Sequence, residues 1–529
     1  MFKYLPVKRV PAVLSASQPE ACGDPAANSI NKHGRDSMRA IPRMFLDQAI
    51  REISEYYKYK INKPRVLSVI EACEGDETMR HIDTNTSPGL PWVHLRTKKG
   101  KKDFIEFDED GDLVYMDSRL VESCATFERY FKKREVPPFS MMEVMKDELR
   151  PVGKAYGLTS EQVTELYGKV HPALWPDNRI CKTRTITVLP MEFTILYRRY
   201  FANFFTQLYK LANTGDEHYC IGINPESIAS LLTYLRASEL NTHGFDLDVQ
   251  NWDGHMSPQL FRAACLVVNL VYQTEPQSED WILRETLIDA VVSGDVQYKD
   301  MVYHKCWGNP SGFPGTGDIN TLVHILISYC SWLEIMCIAK RLDLCSFEQF
   351  KRLCLDRKYG DDRFVVPAKE IEHLYNGETV SAWYAKYGWP TTNSAKDGQA
   401  GLVPLSELKF LKRVWIVDPE EPNYVRWAME KDTIETLLTY VRRTFNPRQQ
   451  FRDNLETALD FAADWGEVYF TYIKDLINRI LVKHGKSPII LDFIGVQRMK
   501  RERYFHSLTP QRVINEPQPF QLKVEDIDL

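Results

Sequence analysis

Hydrophobic residues recur along this chain with two periods. Apolar positions three to four residues apart share one face of a helix. Phe45, Ala49, Ile50 and Ile53 have this spacing and predict a helix over 42–59. The same period predicts helices over 191–211, 259–272 and 381–387. Residues 321–339 are apolar almost throughout, but His324 and Glu334 interrupt them, so the pattern predicts a buried helix and not a membrane span. Helical spacing returns at Ile434, Leu437, Leu438 and Val441, then at Leu455, Leu459, Phe461 and Trp465, and predicts a mostly helical segment over 431–483.

Elsewhere the period falls to two, the alternation of a strand. Residues 353–355 and 364–366 read as strands around Gly360, and a glycine between two such runs predicts a tight hairpin because it takes φ > 0 without strain. Residues 179–188 read as a strand with Lys182 and Arg184 on one face, and 408–415 as a strand with one basic face. Residues 1–44, rich in Pro, Ala, Ser and Asn and carrying Lys8, Arg9, Lys32 and Arg35, predict an extended arm. The Pro/Gln-rich tail after 507 predicts loose order, and no internal repeat is present.

Composition narrows the class without naming it. At 529 residues the chain accommodates two to four domains or one large enzyme, and 44% hydrophobic with 26% charged residues is ordinary for a soluble globular protein. A formal net charge of −5 means that nucleic-acid binding would rest on local basic patches. Eleven cysteines without a CxxC pair argue against a zinc finger or a disulfide framework and fit a reducing compartment. The N-terminus lacks a signal-peptide pattern.

Several stretches carry candidate chemistry. Tyr359-Gly360-Asp361-Asp362 puts adjacent carboxylates on the predicted turn, where like charges persist only if solvated, partly protonated or shared with a cation. Alone, it would read as a solvated acidic turn. Asp248 ends a strand and Asp253 lies five residues on, before Ser257-Pro258 opens a helix; Asp253 or Ser257 could equally be that helix's cap. Residues 308–321 form a Gly/Ser/Thr-rich loop entering the long apolar helix, suited to phosphate or ribose contacts or simply a turn and cap. Lys182 and Arg184 on one face call for an anion between them, either a triphosphate or acidic side chains. The run 96–102 beside Trp92 reads as a solvated loop or as a clasp on a phosphate backbone.

The order and spacing of these stretches over 86–413 resemble the RNA-dependent RNA polymerases of picornavirus-like positive-strand RNA viruses. The resemblance rests on Asp248-x4-Asp253, Ser311-Gly312-x3-Thr316-x3-Asn320, Tyr359-Gly360-Asp361-Asp362 and Phe410-Leu411-Lys412-Arg413 in sequence. It implies an α+β closed right hand: fingers over 1–190 with the N-terminal arm, palm over 191–282, a fingers insertion over 283–308, palm again over 309–415, and a helical thumb with the tail over 416–529. It further implies that Asp248, Asp361 and Asp362 hold Mg²⁺, with Mn²⁺ able to substitute, and that Lys396 is a general acid for the leaving pyrophosphate. Lys146, Arg150, Lys182 and Arg184 would hold the triphosphate. Asp253, Ser311, Thr316 and Asn320 would read the ribose. Thr86, Ser87 and Gly89 would touch template, and Lys412 and Arg413 the primer strand. The implied partners are template and product RNA, ribonucleoside triphosphates, a small protein primer and other viral replication proteins, in membrane-associated complexes of the host cytoplasm, with no transmembrane segment.

Two departures from the family stand out. Residues 152–178 form a long insertion between Arg150 and Lys182, and Arg357, Lys358 and Arg363 put charge into a hairpin the family makes apolar. Arg363 is expected to face solvent, and Lys98, Lys99, Lys101 and Lys102 to meet phosphates. A reverse transcriptase shares the two-acid palm, but Asp253 and Asn320 favour a 2′-hydroxyl over its exclusion. A non-enzymatic RNA-binding viral structural protein would need basic grooves and not the Asp248/Asp361 pair.

Overall fold

The computed structural model describes residues 8–31, 39–166, 175–214, 217–225, 227–229, 243–393, 401–418, 421–441 and 446–508. Lys396, Lys32, Arg35 and the Pro/Gln-rich end of the tail lie outside them.

The central sheet is antiparallel. Strands Cys354–Tyr359 and Asp362–Pro367 form the predicted hairpin, with Tyr359 opposite Asp362 and Gly360-Asp361 as the turn. Gly360 sits at φ +65°, where a side chain would be strained, and a leading glycine suits a two-residue hairpin loop. The second strand pairs with His243–Val249, so that Asp362 stands opposite Asp248. Thr391–Thr392 and Val403–Pro404 pair with the other edge of His243–Val249.

Helices Arg43–Lys60, Pro258–Val271 and Thr316–Ile338 pack behind this sheet in one continuous core. The last begins five residues before its apolar stretch, because its first turn, Thr316-Gly317-Asp318, is polar. By length and composition it is apolar enough to cross a membrane, yet 83% of that window is buried within the protein. Ser257 caps Pro258–Val271, its Oγ accepting from the Leu260 N–H at 3.4 Å with proline in the first turn.

A four-stranded sheet flanks the central one, in the order Thr185–Val188, Met141–Met145, Gly294–Tyr298, Met301–Lys305. The predicted strand over 179–188 is thus regular only in its last part, although Lys182 and Arg184 share an exposed face as the alternation requires. In the described part of the N-terminal arm Arg9–Pro11 is extended, whereas Pro25–Ile30 form a short helix capped by Asp24. Strand Arg9–Pro11 pairs with Leu149–Pro151, while Lys8 reaches Glu435 at 2.7 Å and Arg9 reaches Asp432 at 3.4 Å. Both acids lie on helix Lys431–Thr439. That helix packs with Pro447–Ala463, Glu467–Lys483 and Phe493–Leu508 around a second core that includes Leu455, Leu459, Phe470 and Ile477.

Three local expectations change. Residues 408–415 are not one strand: Lys409–Phe410 and Arg413–Asp418 are antiparallel, joined by Leu411-Lys412 with both residues at positive φ (+51° and +58°). Arg363 does not face solvent. It is 1% exposed, and its Nε and Nη2 donate to Asp356 at 3.0 and 2.7 Å, while Lys358 Nζ reaches the same carboxylate at 2.8 Å. Hairpin register sets Lys358 opposite Arg363, two residues from Asp356, so one buried carboxylate compensates two buried cations. Lys101 also turns inward, its ammonium donating to the Asp83 carbonyl at 3.2 Å and to the Thr86 hydroxyl; burial lowers its pKa to about 8. Lys98 and Lys99 remain exposed.

Candidate active site

The strand ends and the hairpin turn gather the acids. Asp362 and Asp248 are direct cross-strand neighbours, and Asp361 occupies the turn beside them. The turn is open to the cleft, but protein closes round the carboxyls on their other sides. Burial, then the charges of Asp253 and Asp248, raise Asp361 to about 6. Burial, then Asp361 and Asp248, raise Asp362 to about 7, with Lys412 opposing. Carboxylates that raise one another's pKa in a cleft are a donor set whose mutual repulsion a shared cation would relieve. Among the described residues no three such ligands already converge on one point. Mg²⁺ commonly takes only one or two carboxylates and fills its shell with water and substrate phosphate, so this donor set fits it.

Two residues that sequence reasoning did not assign hold the hairpin from behind. The Gly360 N–H donates to Thr321 Oγ1 at 2.8 Å, and His324 Nδ1–H donates to the Gly360 carbonyl at 2.9 Å. Burial holds His324 well below the ordinary histidine pKa, so the ring is neutral. The available signal was His324 itself: a polar ring in an apolar helix needs a partner.

Asn320 lies one residue before Thr321, about 100° round the helix, and meets a different partner. Its Nδ2 donates to Asp253 Oδ1 at 2.7 Å, and Asn309 Nδ2 donates to Asn320 Oδ1 at 2.8 Å, fixing the amide's orientation. The Asn309 N–H donates to the Asp253 carbonyl at 2.8 Å, which ties the glycine-rich loop to the turn after Asp248. Asn309 is a further residue missed from sequence. The loop hydroxyls are engaged within the protein: Ser311 Oγ donates to the Thr185 carbonyl at 3.2 Å, and Thr316 Oγ1 bonds the Pro310 and Phe313 carbonyls, each at 2.7 Å. Tyr197, Tyr209 and Tyr219 all donate to Asp318 in the first turn of the long helix, anchoring its start.

On the opposite wall the Lys146 N–H donates to the Arg184 carbonyl at 2.8 Å, and Glu148 pairs with Lys146 and Arg150, both at 2.9 Å. Burial works against the Glu148 charge, but Lys146, Arg150 and Arg184 outweigh it and hold its pKa below the usual range. Thr86 Oγ1 donates to the Asp83 carbonyl at 2.8 Å, and Ser87 Oγ accepts from the Gly89 N–H at 3.3 Å. Gly89 is required by close approach, since a Cβ there would stand 2.3 Å from the Leu189 carbonyl oxygen. Lys412 is exposed at the tip of its turn, whereas Arg413 donates to the Trp427 carbonyl at 2.9 Å and lies over the Trp427 and Phe461 rings.

A sheet that brings carboxylates together at its strand ends, faced by a wall of cations and clasped to a helical domain, defines a right-hand polymerase. The chain belongs to the viral RNA-dependent RNA polymerase family, whose model matches residues 181–481. It is 28% identical over 517 residues to the genome polyprotein of Rice tungro spherical virus (strain Vt6), covering 92% of this chain and 14% of the polyprotein. It is 27% identical over 490 residues to the genome polyprotein of Human hepatitis A virus genotype IIIA, covering 89% of this chain and 19% of the relative. The replicase polyprotein of Cricket paralysis virus is 25% identical over 457 residues, covering 81% of this chain and 24% of the relative. The chain therefore spans less than a quarter of each of these relatives. Among solved structures, the Sicinivirus 3Dpol RNA dependent RNA polymerase superposes with a TM-score of 0.73 at 19% identity, covering 96% of this chain and 94% of that one; the likeness shows the closed right-hand fold.

Proposed function

We propose that this chain copies an RNA template into RNA from ribonucleoside triphosphates, replicating a viral genome by nucleotidyl transfer at a two-metal centre. The observation that carries the proposal is the placement of Asp248 and Asp362 opposite each other at the ends of two inner strands, with Asp361 in the adjoining turn, beside an Asp253 carboxylate that Asn320 orients. These three acids would hold Mg²⁺, or Mn²⁺ in its place. Bound there, the ions would promote loss of the proton from a primer 3′-hydroxyl and offset charge on the pyrophosphate that departs.

The remaining steps belong to the chain's own groups. Lys182 and Arg184, with Lys146 and Arg150 behind them, supply positive charge where a triphosphate enters. Asp253 Oδ1 is engaged by Asn320, and Oδ2 remains to accept a hydrogen bond from a ribose 2′-hydroxyl. Lys396, the expected proton donor to the leaving group, lies outside the described residues. Thr86, Ser87 and Gly89 stay as proposed template contacts, and Lys412 with Arg413 as proposed primer contacts.

Primer extension with Mg²⁺, a defined RNA template and the four ribonucleotides tests the reading. Template-dependent products are expected, and their absence, with RNA still bound, would leave an RNA-binding protein without this chemistry. A preference for deoxyribonucleotides would point instead to a DNA-making enzyme.

A further inference from the structure

Lys305, the last residue of strand Met301–Lys305, plays no part in the roles assigned so far. It is 5% exposed, and its ammonium is buried without a hydrogen-bond partner. An ammonium left in this condition is costly unless opposite charge stands close by. The acids acting on it are Glu143 and Asp253. Glu143 lies on strand Met141–Met145 of the same sheet, is 3% exposed, and accepts from Thr187 Oγ1 at 2.6 Å. Asp253 is the proposed ribose reader. The segment after Lys305 is bonded to the Asp253 turn, by Gly308 N–H to the Met256 carbonyl at 2.9 Å and Asn309 N–H to the Asp253 carbonyl at 2.8 Å. These bonds hold the backbone that follows Lys305 against the Asp253 turn.

We propose that Lys305 is a specificity-determining positioning residue, a fixed counter-charge behind Asp253 that holds this carboxylate toward the ribose hydroxyls of the incoming nucleotide. The inference rests on the polymerase reading above. Two other cations also act on Asp253, namely Arg184 and Lys146. Arg184 is exposed and Lys146 is paired to Glu148 at 2.9 Å, and both are among the residues proposed above to hold the triphosphate. A bound triphosphate would draw on their charge and leave Lys305 as the cation serving Asp253. Burial lowers Lys305 to about 8, opposed by Glu143 and Asp253, so it is mostly charged at neutral pH.

The test is single-nucleotide extension with a ribonucleotide and its 2′-deoxy analogue, comparing wild type, Lys305→Met, Asp253→Ala, the double variant and Glu143→Gln. Asp253→Ala should narrow the ribo/deoxy preference by about five- to 150-fold, the range set by one unmet polar group. Lys305→Met should narrow it at least about fivefold, and the double variant no further than Asp253→Ala alone, because Lys305 acts through Asp253. Glu143→Gln removes the stronger-acting of the two acidic charges that help keep Lys305 protonated, so it should narrow the preference no more than Lys305→Met does. Should Lys305→Met not fold, judged by thermal melting, Lys305→Gln carries the same comparison. Rates that fall equally for both sugars in the Lys305 variant, effects of Lys305 and Asp253 that multiply, or a greater narrowing in Glu143→Gln than in Lys305→Met would each overturn the proposal. Wild-type protein that extends no primer would instead overturn the polymerase reading.

Discussion

At the scale of single residues, charge placement decides both chemistry and stability. Asp361 supplies a formal charge to the cleft and no packing. Asp361→Asn should lower elongation by several orders of magnitude while RNA affinity stays close to wild type. Extension within about tenfold of wild type, ~1.4 kcal/mol in the barrier, would remove Asp361 from the metal centre. The buried Asp356–Lys358–Arg363 group makes a different prediction. Burial, aided by Arg363, lowers Lys358 to about 7, although Asp356 pulls the other way. An unfolded lysine keeps its proton to a pKa near ~10.4. Between these values the unfolded chain binds more protons, so this residue's contribution to stability rises with pH and is lost as pH falls through about 7. Denaturation midpoints measured across this range should lose that rise in Lys358→Met, in which Arg363 still satisfies Asp356. An identical pH profile in wild type and variant would show that Lys358 keeps its proton throughout.

At the scale of elements, the catalytic hairpin is only as well placed as the helix that holds it. The Thr321 hydroxyl accepts from the Gly360 N–H. Thr321→Val keeps the shape and strands that buried donor, at about 1–3 kcal/mol. Lower stability in urea and slower extension are expected together; unchanged stability would mean that water replaces the hydroxyl. The helices were legible in the sequence because their apolar periods run over several turns, and the hairpin because Gly360 stands between two short strand-like runs. The turn at Leu411-Lys412 was not, because neither residue carries the glycine or asparagine signal of a positive-φ turn. Arg363 read as solvent-facing because its partner, Asp356, meets it only once the strands pair across the turn. Lys101 was hidden in a basic run for a similar reason: its acceptors lie in 83–86, a loop whose approach no local pattern announces. Of the site, the acids at 248, 361 and 362 were readable from their spacing. The Asn309–Asn320–Asp253 chain joins three segments and needed the fold.

At the scale of the molecule, net charge conceals local charge. Lys98, Lys99, Lys182 and Arg184 are exposed on a protein whose formal charge is −5. If these four residues meet phosphates of single-stranded RNA, the logarithm of affinity should fall against the logarithm of salt with a slope of roughly −3. A titration of binding across salt concentrations measures it, and a flat response would exclude a phosphate-lined channel. The N-terminal arm adds a topological consequence. Strand Arg9–Pro11 is stitched to the strand that bears Arg150, and Lys8 and Arg9 grip Asp432 and Glu435 on the far helix. The arm thereby ties the strand that bears Arg150 to the helical segment, and RNA passing between the two would have to be threaded from an end. A linear template would slide between them for many cycles without falling away, and a covalently closed circle would have to wait for the clasp to open.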